Sequence, residues 1–169
     1  EDKSILKIGH NIKYDIKVLT KYKCLVYSFD DTMLMSNCIN SGRQRHSLDS
    51  LAKDLLDHDT IKLKDLIGSG KKELNFRNVP IHHASSYAAE DADITFRAWK
   101  ILKKELVKQS VYSVYQTIDK PMVPVLIDAE LKGVEVDKQQ LRRLSQFFEK
   151  RLTELESEVF SIVGIKFNI

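Results

Sequence analysis

The sequence is poor in the features that mark a special class of protein. It has two cysteines, Cys24 and Cys38, with neither CxxC nor His-paired spacing. A disulfide framework and a zinc site are therefore not expected, and two reduced, packed thiols of a cytoplasmic protein are. No apolar run approaches the ~18 residues that cross a bilayer, and no signal peptide is recognisable. A nucleotide-binding loop is also lacking: Gly68-Ser69-Gly70-Lys71-Lys72 has the wrong spacing, and no Ser or Thr follows the lysines. The five histidines do not cluster at ligand spacing, and the adjacent His82 and His83 point about 100° apart on a helix. Charge of one sign is scarce as well. The net charge is +3, which permits a nucleic-acid partner without arguing for one.

What is present is an ordinary globular composition, 43% apolar and 30% charged over 169 residues. That excludes a disordered chain and allows one core, or one core with a small appendage. Ser4–Ile8 reads as a strand, with Gly9 making the turn into an amphipathic helix over Asn11–Tyr22. Cys24–Tyr27 reads as a second strand, and Phe29–Leu34 leads into a helix ending near Ile39, with Asp31 as a cap. Asn40–His46 is a polar loop. Ser47 caps the next helix, with Asp49 in its first turn and Leu48, Leu51, Ala52, Leu55 and Leu56 as its buried stripe. A long helix without Gly or Pro is predicted from Ile81 to Leu106, after a short one within His58–Ile67. Beyond it come a short helix at Ser110–Ile118, a helix capped by Asp119 and closed by Gly133, and a strand at Val134–Val136. Last is a helix of roughly 25 residues with an Asp137 capping box and the stripe Leu141, Leu144, Phe148, Leu152, Leu155, Val159 and Ile162.

Two constellations carry chemistry. In Ser86-Tyr87-Ala88-Ala89-Glu90-Asp91-Ala92-Asp93, Tyr87 and Asp91 stand four apart and share a helix face, with small residues in the turn between them. A phenol beside a carboxylate on such a face can place a water against a metal ion; an ordinary solvated acidic helix has the same pattern. In Gly9-His10-Asn11-Ile12-Lys13-Tyr14-Asp15, Asn11 and Asp15 are again four apart, on a helix that follows a strand, a common position for an active-site acid in α/β proteins.

Together, G-H-N-I-K-Y-D and Y-A-A-E-D-A-D resemble the second and third motifs of the 3'-5' proofreading exonuclease domain of the bacterial DNA polymerase I family. Lys120–Asp137, K-P-M-V-P-V-L-I-D-A-E-L-K-G-V-E-V-D, is similar to the junction where that domain passes into the polymerase thumb. Ribonuclease D and Werner-type exonucleases share the tyrosine-bearing third motif but not this junction. The resemblance implies an α/β, ribonuclease-H-like exonuclease fold lacking its first strands, over residues 1–115. An all-α segment at 116–169 then begins the thumb. It further implies two divalent ions (Mg2+, or Mn2+ or Zn2+), with Asp15 and Asp91 as ligands and Tyr87 orienting the attacking water. Asn11, His10, Lys13, Arg45 and Leu63 would bind a single-stranded DNA 3' end, Leu63 standing where the family has an aromatic wedge. Arg43, Lys71 and Lys72 could add phosphate contacts.

The family's first motif, a D-x-E on a strand, supplies the other two acids and has no counterpart here. The expectation is a piece of a larger polymerase that by itself has no appreciable exonuclease or polymerase activity. The alternatives are a catalytically silent exonuclease-like module that braces a polymerase, and an RNA-trimming exonuclease. The stripe of residues 141–162 is also expected to seek a partner helix, a second copy included.

Overall fold

The computed structural model describes residues 1–42, 45–68, 70 and 74–168. It divides into two compact units, Glu1–Leu131 and Lys132–Ile169. The first holds a small parallel sheet, β1 (Lys7–Gly9) paired with β2 (Phe29–Asp31), Lys7 opposite Phe29 and Gly9 opposite Asp31. Helix α1 (Ile12–Lys21) crosses between the strands. After β2 come α2 (Thr32–Ile39), α3 (Leu48–Leu56), the short α4 (Leu63–Ile67) and the long α5 (Ile81–Lys108). The unit closes with α6 (Tyr112–Val114), a π turn over Tyr115–Asp119 and α7 (Lys120–Lys132). Among the described residues the fold is mostly helical, and no helix is long and apolar enough to cross a membrane.

The long helix forms because nothing in Ile81–Lys108 interrupts it. Its inner face, Ile94, Ala98, Leu102 and Leu106, is buried. Ala98, Leu102 and Leu106 meet Met35 of α2, Leu51 of α3 and Tyr115, the main core of the unit. A second cluster packs Ile12 and Ile16 of α1 against Val123 and Ile127 of α7.

Three local expectations are corrected by this packing. The second strand is not Cys24–Tyr27 but Phe29–Asp31, a poor strand sequence made viable because its two aspartates are buried with partners for their carboxylates. Asp119 does not restart a helix: the chain runs through it as a π turn. Pro121 follows in the first turn of α7, where its missing N–H is least costly, and Pro124 lies inside the helix. Val134–Val136 forms no strand, and Val134 is 91% exposed.

Asp31 does more than the expected cap. It accepts from Met33 and Leu34 N–H at the start of α2 and from Asn11 and Ile12 N–H at the start of α1, at 2.8–3.3 Å, while 1% exposed. One carboxylate thus caps two helices. Asp31→Ala should cost about 2 kcal/mol, twice a typical cap, measured by urea denaturation; a loss below half of that would mean the α1 amides find water instead.

In the second unit, α8 (Lys138–Val163) starts on Asp137, whose carboxylate accepts from Gln139 and Gln140 N–H at 2.9 Å. Leu141, Leu144, Phe148, Leu152 and Leu155 along it are all exposed.

Candidate active site

Four segments converge on one cleft of about 620 Å³: the end of β1 with His10, the body of α1, the start of α3 and the middle of α5. Its lining includes Asp15, Asp49, Tyr87, Asp91 and His10. Gly9 lets α1 turn off the strand this tightly, since a Cβ there would lie 2.8 Å from the Ile12 side chain. Asn11, in the left-handed region at φ 57°, completes the turn, and the Asp31 carboxylate pins the first amides of α1. Asp15 follows one turn later and opens into the cleft.

From the opposite wall α5 presents Tyr87 and Asp91, one turn apart in the cleft lining and close enough to shift each other's ionisation. Phe76 meets the Tyr87 ring edge-on, centroids 6.2 Å apart. Burial raises the Asp91 carboxyl above its ordinary range; the nearby Tyr87 hydroxyl opposes this, and the charges of Glu90 and Asp49 add to it. Asp15 is raised as well, by burial first and then by the charge of Asp31. Burial and the neighbouring Asp91 push the Tyr87 phenol up, so it stays protonated and keeps its O–H as a donor. His10 hydrogen-bonds through Nδ1 to Thr32 Oγ1 at 2.9 Å, and burial holds its imidazole below the usual value.

Asp49 is the cleft residue that sequence reading missed. A carboxylate two residues after a Ser cap looks like a helix-dipole partner, and only the packing of α3 on α5 turns it toward Asp91. Burial pushes its carboxyl up, but hydrogen bonds from Thr60 (2.6 Å) and Lys62 (3.0 Å) outweigh this and hold it low. Glu90, beside Asp91, is also occupied: it accepts from His58 Nε2 at 2.8 Å and from Ile61 N–H at 2.7 Å.

Other residues singled out from the motifs lie elsewhere. Asn11 and Lys13 line a separate cavity of about 270 Å³ with Asp31, Met33 and Met122, and the Lys13 amine pairs with Glu130. Arg45 is exposed, and Leu63, the first residue of α4, is 42% exposed and outside the cleft lining. Arg43, Lys71 and Lys72 lie outside the described residues. Among the described residues no three His, Cys, Asp or Glu side chains converge to hold a metal ion. The cleft does present two carboxylates, Asp15 and Asp91, raised by burial and by like charges. These are hard oxygen donors of the kind Mg2+ or Mn2+ takes, so they fit as part of a cation site.

Residues 1–107 match the model of a family described as 3'-5' exonuclease. The DNA polymerase I of Rhizobium leguminosarum is 43% identical over 169 residues, covering 100% of this chain and 17% of that protein. That of Pseudomonas aeruginosa is 38% identical, covering 100% and 19%. The chain spans less than a fifth of the length of these relatives. Among solved structures, the POL domain of Pol1 from M. smegmatis, in complex with DNA primer-template and dNTP, is similar at a TM-score of 0.74 and 19% identity, over 99% of this chain and 26% of that one. Brucella melitensis NrnC is similar at 0.66 and 24% identity, over 81% and 64%. At those identities the likeness speaks for the fold.

Proposed function

We infer the function from a premise the comparisons establish: the chain belongs to the 3'-5' exonuclease family. On that premise the cleft is part of a phosphodiester-hydrolysing site that trims the 3' end of single-stranded DNA, within a protein of the DNA polymerase I type. Residues 1–115 are its exonuclease portion and 116–169 the start of its thumb. One observation carries the reading above all others. Asp15 and Asp91, from helices far apart in sequence, open into the same cleft, and Tyr87 lines it one helical turn before Asp91.

Asp15 and Asp91 are the side chains that would hold divalent ions, Mg2+ with Mn2+ or Zn2+ as alternatives. Such ions, when bound, supply the Lewis-acid charge neutralisation that phosphodiester hydrolysis needs. Tyr87, one turn before Asp91 in the cleft lining, has a hydroxyl that can both donate and accept, and so would orient the attacking water. The small side chain of Ala92 and the backbone of Gly9 in the cleft lining leave room for a sugar–phosphate chain. His10 lies in the same lining, where it can meet the strand. Substrate roles for Asn11, Lys13, Arg45 and Leu63 rest on the motif, since none of them enters the cleft lining. A strand reaching Lys13 has to displace Glu130.

Two carboxylates do not complete a two-ion cage, so the 169-residue chain alone should trim single-stranded DNA undetectably in Mg2+. Ion binding is testable on the chain itself. A site tenfold saturated adds about 1.4 kcal/mol of stability, a rise in Tm of about 4 °C for a chain this size. Asp91→Asn should abolish that rise in a thermal melt with and without Mg2+. An equal rise in both proteins would place the ions elsewhere and leave the silent bracing module as the better reading.

Self-association through the exposed stripe Leu141–Ile162 belongs to the same proposal. Sedimentation velocity should show a concentration-dependent dimer that Phe148→Glu dissolves; a monomer at every concentration would rule it out.

A further inference from the structure

A DNA strand is a polyanion, yet the cleft it must enter is walled by Asp15, Asp49 and Asp91. Beyond the divalent ions that Asp15 and Asp91 would hold, further positive charge can come from the rim. Among the described residues, one ammonium is tied to a side chain of the lining: that of Lys62, 3.0 Å from Asp49 Oδ2 and 2.9 Å from Thr60 Oγ1.

Lys62 is held there by a strap. Residues His58–Lys62 join α3 to α4 and are fastened to both walls of the cleft. His58 Nε2 and Ile61 N–H donate to Glu90, next to Asp91 on α5. Thr60 O–H donates to Asp49 on α3 at 2.6 Å. The strap sets where the Lys62 stem begins, and the flexible stem leaves its head free to move. The Lys62–Asp49 pair is 39% and 52% exposed, and a pair so wet holds weakly. If Lys62 leaves, Thr60 still satisfies Asp49.

We propose that Lys62 is a substrate-contacting residue whose ammonium exchanges Asp49 for a phosphate of the single-stranded DNA entering the cleft. This rests on the nuclease reading above and adds to it the residue that offsets the acidic wall. Lysine suits the task, as a compact charge with three donors that follows a phosphate without demanding the fixed geometry of a guanidinium.

The test measures fluorescence anisotropy of a fluorescein-labelled single-stranded oligodeoxynucleotide binding to this chain, in EDTA and across a salt series. Lys62→Ala should weaken binding about three- to tenfold at low salt and reduce the slope of log K against log salt by about 0.7, one phosphate contact on a single strand. Lys62→Arg should restore the slope, which a merely structural part in the strap would not require. Lys53→Ala, whose amine pairs with Asp57 and Asp59, should change neither quantity. An unchanged slope in Lys62→Ala, or no restoration by Arg, overturns the proposal and leaves the nuclease reading standing. If the unsubstituted chain binds no oligonucleotide, both fall together.

Discussion

Asp91→Ala, made in the full-length protein, should reduce 3' trimming of single-stranded DNA about a thousandfold, the several kcal/mol of a lost charge-stabilising ligand. On the proposed reading of a DNA polymerase I-type protein, DNA synthesis should be untouched. The substitution removes one of the three carboxylates that line the cleft, the one standing a turn beyond Tyr87. Asp15→Ala should match it. Tyr87→Phe keeps the ring against Phe76 but loses the oxygen that orients water, and should cost about tenfold to a hundredfold. Asp93, two residues along, is the control: it pairs with Arg97 at 3.3 Å and lies outside the cleft. Trimming that survives Asp91→Ala, or falls as far with Asp93→Ala, would remove this site from the chemistry.

The second large effect concerns stability. Asp30, 3% exposed in β2, accepts from Lys120 Nζ (2.9 Å), Trp99 Nε1 (2.9 Å) and Tyr115 O–H (3.1 Å). The Tyr115 oxygen in turn accepts from Asp31 N–H at 2.9 Å, and burial drives that phenol far above its ordinary pKa. Asp30→Ala leaves a largely buried ammonium without its counter-charge and two donors without an acceptor. The expected loss is about 3–5 kcal/mol, about 10 °C in Tm. Changing both ends of the pair, Asp30→Leu with Lys120→Met, should recover the part owed to the orphaned charge, while the Trp99 and Tyr115 donors stay unpaired. Equilibrium denaturation of the three proteins decides the matter; a single-variant loss under 1 kcal/mol would mean the network is solvated.

The same two aspartates show how far the residues could be read in advance. The pattern Phe29-Asp30-Asp31-Thr32 signals a helix start, and Asp31 does cap α2. Nothing local signals that it also caps α1, or that Asp30 anchors α5 and α7, since those partners lie 19 to 90 residues away in sequence. Cys24–Tyr27 looked more like a strand than Phe29–Asp31 because strand preference reports side-chain shape. The pairing was decided by where the buried carboxylates found donors. Asp49 escaped notice for a related reason, its helix-start position giving a sufficient explanation by itself.

The order of residues alone determined where the main helices run, and that Tyr87 shares a face with Asp91, because a period of 3.6 residues is a local property; Asn11, expected to share a face with Asp15, instead stands outside α1 in the left-handed region and lines a different cavity. Only the tertiary structure decided which faces meet. Packing of Leu51 and Met35 against Ala98 and Leu102 turns the start of α3 and the middle of α5 toward one space. The Asp31 carboxylate sets α1 beside them. A cleft is a relation between elements, and it exists once burial of their apolar faces has fixed how they lie together.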